Sequence, residues 1–328
     1  MRGIMGGKQP VLTLFCKQID DKRLDSGYVV FNDVLDAWLS ETRGRVKRST
    51  LATYRGASER YVRPALGALP TEQMTDEQVA KFLREASEIY ASSTLRIICH
   101  ILRSAIELAH GSGLCGGVSG RFQLPHSTRH EARILSQEEQ LRLLETLRPE
   151  DGPVQLGILL CLYTGMRLGE ACGLRWGDFS PDCNIIYIRR TLQRLAVHDG
   201  EHKTALVLDT PKSSSSMRAI PVPARLRPVL ESARCDDGCY VLTGLETPME
   251  PRRFQSRFKT ALRAAGVADI NFHALRHTFA TNCVSLGCDA ATLARILGHS
   301  DVSITLNTYV HPSFEAMRAI VDRNSELA

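Results

Sequence analysis

The feature that most limits what this chain can fold into is a break in its periodicity. Through residues 111–133, GSGLCGGVSGRFQLPHSTRHEAR, no apolar face recurs at a regular interval, and Gly, Ser and His dominate. On either side, apolar residues return at helical spacing. A chain of 328 residues divided in this way is expected to form two domains, each able to bury its own core. We expect an N-terminal extension without assigned fold over 1–27, a helical domain over 28–115, a linker over 116–133 and a second domain over 134–328.

Upstream of the break, Phe31, Val34, Leu35, Trp38 and Leu39 share one helical face. Arg43, Arg45, Lys47 and Arg48 then crowd together before a helix that holds Leu51, Tyr54 and Tyr61, with Ser49 and Thr50 as candidate caps. Thr75 and Gln78 have the spacing of a capping box, and a further helix is expected from about Ser93 to His110, stopping at Gly111. Charge runs are commonly solvated faces. Cations placed before an amphipathic helix also suit a DNA backbone, and phosphate contact is the reading favoured for this cluster. The distribution of charge agrees. Residues 1–27 carry 5 Lys+Arg against 3 Asp+Glu, residues 28–130 carry 13 against 10, and residues 131–328 carry 23 against 23.

Downstream, Ser136 and Glu139 form a second capping-box pattern before Leu141, Leu144 and Leu147. The apolar run VQLGILLCLYTG delivers Arg167 just after Gly165, at the start of a helical turn, while the neighbouring Arg175 is expected to be a surface residue. Residues 184–223 switch to strand signals in NIIYIRR and RAIPVP, with TPKSSSS and its Lys212 as a turn between them. A helix from about Pro251 carries Phe254, Phe258 and Leu262 on one face. The ten cysteines are scattered, mostly in apolar contexts such as Cys99, Cys161 and Cys172, and are expected to be reduced. Cys235 and Cys239 make a C-x3-C without a second pair at ligand spacing, so no metal site is expected. No apolar run approaches the ~20 residues that span a bilayer. VLTLFC is too short for a signal-peptide core, and a cytoplasmic location is expected.

The chemistry concentrates in residues 272–311, FHALRHTFATNCVSLGCDAATLARILGHSDVSITLNTYVH. His273, Arg276 and His277 form an H-x-x-R-H run, His299 follows a glycine, and Tyr309 comes 10 residues later. A phenol ionises near pH ~10 and needs cationic neighbours to act as a nucleophile. Guanidinium and imidazole groups around a phenol are what attack on a phosphodiester requires, because charge grows on the phosphate oxygens.

This run resembles the C-terminal catalytic segment of the tyrosine recombinases, the phage-integrase family, in which H-x-x-R-H is followed by L-G-H and then the tyrosine. The steps from Arg276 to His299 (23) and from His299 to Tyr309 (10) fit that pattern. Arg167 and Glu170 resemble the family's T-G-x-R-x-x-E motif, with Glu170 expected to orient a helix or the arginine. TPKSSSSMRAIPVP resembles the β-hairpin that presents the family's lysine, here Lys212. The ST-x-x-x-Y and P-x-L-G stretches resemble, more loosely, the helical core-binding domain.

The resemblance implies a mainly α, multidomain fold. A SAM-like helical domain and a mostly helical catalytic domain with a small antiparallel β-sheet would form a C-shaped DNA clamp. It implies site-specific recombination, with Tyr309 attacking phosphorus to give a 3′-phosphotyrosine link. Arg167, Arg276 and His299 would serve the non-bridging oxygens, and Lys212 would protonate the departing 5′-oxygen. His273 would take the tyrosine proton or share the oxyanion load, and both roles stay open. His277 is expected to pack or hydrogen-bond structurally. No metal or other cofactor is expected. The expected partners are double-stranded DNA recombination sites, further copies of the chain (a tetramer in the synaptic complex, a monomer when free), and accessory directionality or DNA-bending proteins; no membrane is expected. Two rivals are a type IB topoisomerase and a non-catalytic DNA-binding relic. In the tail, Phe314, Met317, Ile320 and Val321 share a helical face that either packs on its own domain or docks on a neighbouring protomer.

Overall fold

The structure, a computed structural model, describes residues 28–114, 117–122, 133–197, 204–211, 216–309 and 318. The extension over 1–27, most of the expected linker, Lys212 and the tail positions Phe314, Met317, Ile320 and Val321 lie outside the described residues. The chain divides into two compact units, Met1–His130 with Leu195–Lys203, and Glu131–Arg194 with Thr204–Ala328.

The described part of the first unit is helical. Helix α1 (Phe31–Thr42) buries Phe31, Val34, Leu35, Trp38 and Leu39, the face that the spacing predicts. Helix α2 (Arg48–Ala57) begins after Lys47 with no side-chain cap. Ser49 and Thr50 therefore sit inside its first turn rather than ahead of it, and the Ser49 carbonyl accepts from the Thr53 hydroxyl at 2.9 Å. A π-turn over Ser58–Val62 joins α2 to the short α3 (Arg63–Leu66). Helix α4 (Asp76–Ile89) opens on the expected capping box, with Thr75 and Gln78 each accepting from the other's backbone N–H. Helix α5 (Ser92–Gly111) is the central rod, burying Leu95, Ile98, Cys99, Ile101, Leu102, Ala105, Ile106 and Ala109. Each large aliphatic side chain so buried contributes about 1.5–3 kcal/mol.

The second unit begins with α6 (Gln137–Thr146), capped by Ser136 and Glu139 as the sequence predicts. Its buried face runs through Leu143 and Leu147, one turn apart, and leaves Leu141 61% exposed. Helix α7 (Pro153–Thr164) is apolar on every side and buried from Leu156 through Leu162, so it runs through the core. Helix α8 (Leu168–Gly173) follows. Strands β1 (Ile185–Ile188) and β4 (Arg218–Pro221) pair antiparallel, with Ile186 opposite Ile220. Strands β2 (Thr191–Ala196) and β3 (Thr204–Asp209) pair with each other, so the strand-rich region forms two small sheets. After α9 (Arg227–Ala233), α10 (Pro251–Ala264) buries Phe254, Phe258 and Leu262 as expected. Helices α11 (His273–Ser285), α12 (Ala290–Leu297) and α13 (Val302–Tyr309) complete the unit, and α11 packs along α7.

Arg175 departs from its expectation as a surface residue. It is half-buried, its guanidinium lying 4.7 Å from the Tyr240 ring centroid and Nη2 donating to the Tyr240 hydroxyl at 2.8 Å. Cys99, Cys161 and Cys172 are buried free thiols.

Candidate active site

The site grows from the end of α7. Gly165 terminates that helix in the left-handed region, at φ 64°. A Cβ there would stand 2.6 Å from Phe279 Cδ1 and 2.8 Å from Leu297 Cδ2, so a side chain where α7, α11 and α12 converge would force its neighbours to shift. The turn sets Arg167 just ahead of α8. The Glu170 carboxylate, one turn on, accepts from the Arg167 backbone N–H at 2.9 Å and from Nη1 at 2.8 Å. The same carboxylate, 3% exposed, accepts both terminal nitrogens of Arg218 from β4, at 3.0 and 2.9 Å. Burial pushes the Glu170 carboxyl up, but the hydrogen bonds and charge of Arg218, together with Arg167, outweigh it and hold the group below its ordinary value. Glu170 thus fixes two arginines by bidentate, charge-assisted pairing.

Three guanidinium groups grip the C-terminal end of α12. That helix closes in a Schellman turn, with Gly298 at φ 66°, Gly298 N–H donating to the Arg295 carbonyl at 3.2 Å and His299 N–H to Ala294 at 3.0 Å. The last carbonyls are taken in order: Ile296 accepts from Arg218 Nε at 2.5 Å, Leu297 from Arg276 Nη2 at 2.8 Å, and Gly298 from Arg167 Nη2 at 3.2 Å. Cations are favoured there because a helix C-terminus carries partial negative charge. Arg276 also donates Nη1 to the Gly165 carbonyl at 2.9 Å, which ties the end of α7 to the end of α12. It is only 2% exposed. Burial, then the charge of Arg167, bring its pKa down to about 9, with Glu170 opposing, so it stays a cation at neutral pH.

The gripped turn presents His299. Its Nδ1 lies 2.8 Å from the hydroxyl of Thr305, a fully buried residue of α13. Burial first, then Arg276, Arg167, Arg218 and His273, press the His299 pKa down to about 4. His273 opens α11 with an exposed edge, yet crowding of the ring, His277, Arg276 and Arg167 bring it too to about 4. The rings of His273 and His277 meet edge to face at 4.7 Å. Tyr309, the last residue of α13, packs beside Phe279, Cys283, Val284 and Cys288 against a small cluster of Ala280, Leu293 and Leu297. Its hydroxyl lies 2.8 Å from His277 Nδ1. Burial raises the phenol's pKa, and Arg276 and Arg167 offset only part of that rise.

The fold therefore brings Arg167, His273, Arg276, His299 and Tyr309 into one unit around the end of α12. Lys212 lies outside the described residues. In the first unit, the turn between α1 and α2 passes through Gly44 at φ 86° and leaves Arg43, Arg45 and Arg48 exposed, with Lys47 half-buried. Arg45 is paired with Glu41 at 2.6 Å. Sequence reasoning passed over Arg218 and Thr305. Arg218 stands in RAIPVP, where alternation marks a strand and nothing marks the buried carboxylate it meets.

The family model described as Phage integrase family matches residues 133–316, and the one described as Phage integrase, N-terminal SAM-like domain, matches residues 30–86. A tyrosine recombinase XerC-like protein of Caldanaerobacter subterraneus subsp. tengcongensis is 26% identical over 314 residues, covering 86% of this chain and 79% of that protein. The fold is similar to that of a Tn1549 transposon integrase in complex with transposon right-end DNA, at a TM-score of 0.74 and 20% identity, covering 90% of this chain and 100% of the other. A lambda integrase dimer bound to a COC′ core site aligns at a TM-score of 0.64 and 17% identity, covering 85% of this chain and 95% of the other.

Proposed function

The chain belongs to the phage integrase family, and on that premise we propose that Tyr309 is the nucleophile of its DNA strand exchange. It is a tyrosine recombinase, an enzyme of site-specific DNA recombination. The observation that carries the proposal is the meeting of a half-buried phenol with His277, beside an arginine cluster anchored on one helix end.

A phosphodiester resists attack because it is already negative, so its catalyst must neutralise charge, aim a nucleophile and protonate an alkoxide. Arg167 and Arg276 each keep N–H donors beyond those held by carbonyls and Glu170, and these serve the non-bridging oxygens. His299 Nδ1 pairs with the Thr305 hydroxyl; in the tautomer where Thr305 donates, the ring proton sits on Nε2 and is offered to the same oxygens. Tyr309 attacks phosphorus, leaving a 3′-phosphotyrosine link and a 5′-hydroxyl. Lys212 protonates the departing 5′-oxygen. His273, neutral at pH 7, either accepts the phenolic proton or donates to an oxyanion. The bond energy stays in the link, so rejoining to a partner strand needs no ATP. Two guanidinium groups carry the charge, and no step is assigned to a metal.

A lambda integrase is described as a tetramer bound to a Holliday junction. By that analogy this chain acts on double-stranded recombination sites as a tetramer, with accessory directionality proteins choosing between integration and excision. No described helix is long and apolar enough to cross a membrane. The test is incubation with a supercoiled plasmid bearing the DNA that borders the gene, in excess EDTA. Recombinant circles with one defined junction are expected. Relaxation at no fixed site would point instead to a type IB topoisomerase, and activity that returns only with magnesium would overturn the metal-free scheme.

A further inference from the structure

We propose that His277, through Nδ1, is the group that accepts the phenolic proton of Tyr309. The inference rests on the reading of Tyr309 as nucleophile and assigns the base that reading left open. The two atoms stand 2.8 Å apart, within reach for direct transfer. No other hydrogen bond of the Tyr309 hydroxyl is found among the described residues. The contact is built by packing. Tyr309 packs against the buried cluster of Ala280, Leu293 and Leu297, and Ala280 belongs, like His277, to α11.

The protonation states agree with this geometry. Burial and then the charge of Arg276 lower the pKa of His277, so at neutral pH the ring is uncharged and Nδ1 can hold a lone pair. His273 meets the same ring edge to face at 4.7 Å, and two imidazoles so close resist both becoming cations. When His277 takes the proton, His273 therefore stays neutral and remains an N–H donor. Among the described residues, the charged and titratable groups facing His277 are Arg276 and His273 on α11 and Tyr309 on α13. Burial and, after it, the charge of Arg276 make His277 a weak base in the free enzyme. A bound phosphodiester brings opposite charge to Arg276 and eases the second of these, which ties proton transfer to the arrival of substrate.

The step balances. The Tyr309 O–H bond breaks and an N–H bond forms on His277. The freed oxygen lone pair makes the bond to phosphorus, and the bond from phosphorus to the 5′-oxygen breaks. That oxygen takes its proton from the general acid, Lys212 in the reading above. In rejoining, the imidazolium returns its proton to the leaving phenolate.

The experiment measures single-turnover adduct formation on a nicked duplex carrying the DNA that borders the gene. It compares wild type with His277→Ala, His277→Asn and Tyr309→Phe, with DNA binding followed by gel shift. The Asn oxygen stands where Nδ1 stands and can hold the phenol, but takes no proton near neutral pH. Both His277 variants are expected to bind DNA normally and to form adduct about 10²–10⁴-fold more slowly at pH 7. Their rates should climb with pH as the phenol ionises unaided, while the wild-type rate levels off. Wild-type rates in His277→Asn would make the residue a positioning group only, and wild-type rates in His277→Ala would remove it altogether; either result overturns the proposal. The Asn side chain keeps a polar partner for the phenol and more of the side-chain volume than Ala, so the outcome can be read even if the Ala variant fails to fold. Adduct formation by Tyr309→Phe would instead sink the underlying nucleophile reading, a failure distinct from the other two.

Discussion

Near one phenol stand the imidazoles of His273, His277 and His299 and the guanidiniums of Arg167 and Arg276, and burial first, then the positive charge of the arginines, keeps the imidazoles neutral. His273 and His299 both fall to a pKa of about 4, from an ordinary value of 6.5. Between those two values the unfolded chain binds more protons than the folded one. The stability gained by keeping the rings neutral is therefore whole above pH 6.5 and is lost as pH falls through 4. The urea midpoint should drop across that window. His299→Asn keeps an acceptor for Thr305 but does not titrate, and should lose part of the drop. Identical pH curves for the two proteins would contradict this picture. The spacing of His273, Arg276, His299 and Tyr309 was legible because they lie in one segment, on successive helices and the turns between them. Arg218 and Thr305 were not, because each is defined by a partner distant in sequence or on a neighbouring turn, Glu170 for the one and His299 for the other.

Among the elements, the junction of α7, α11 and α12 carries the largest constraint, and it rests on Gly165. Gly165→Ala meets two penalties: a left-handed backbone, at roughly 1–2 kcal/mol, and overlap with Phe279 and Leu297, at roughly 1–3 kcal/mol. It should also displace the carbonyl held by Arg276, so strand cleavage should fall with stability. Gly266→Ala is the control. Gly266 has nearly the same φ, +62°, but nothing lies within 4 Å of the added carbon. Only the backbone penalty should appear there, with cleavage intact. Equal losses from chemical denaturation of the two variants would show that packing at Gly165 is unimportant. Local chemistry explains which elements were readable. The capping boxes at Thr75 and Ser136 are complete within four residues, and both formed. The π-turn over Ser58–Val62 and the choice of Leu143 over Leu141 as the buried leucine depend on neighbouring elements, and no local pattern announces them.

At the scale of the whole molecule, the mainly helical architecture followed from periodicity on both sides of residues 111–133, whereas the pairing of four strands into two sheets did not. Strand signals give alternation, not partners. The lopsided charge of the sequence makes its own prediction. Replacing Arg43 and Arg48 by Gln should lower the slope of log K for DNA against log salt by about 0.9 for each phosphate that is no longer neutralised. Arg45, already paired with Glu41, should matter less. An unchanged slope would make the cluster a solvated face. The most direct measurement is peptide mapping of the covalent complex trapped on a nicked recombination site. The expected result is a single nucleotide-bearing peptide, modified through a 3′-phosphate on Tyr309 and missing in Tyr309→Phe. A link to any other residue, or an undiminished adduct in Tyr309→Phe, would contradict the central claim.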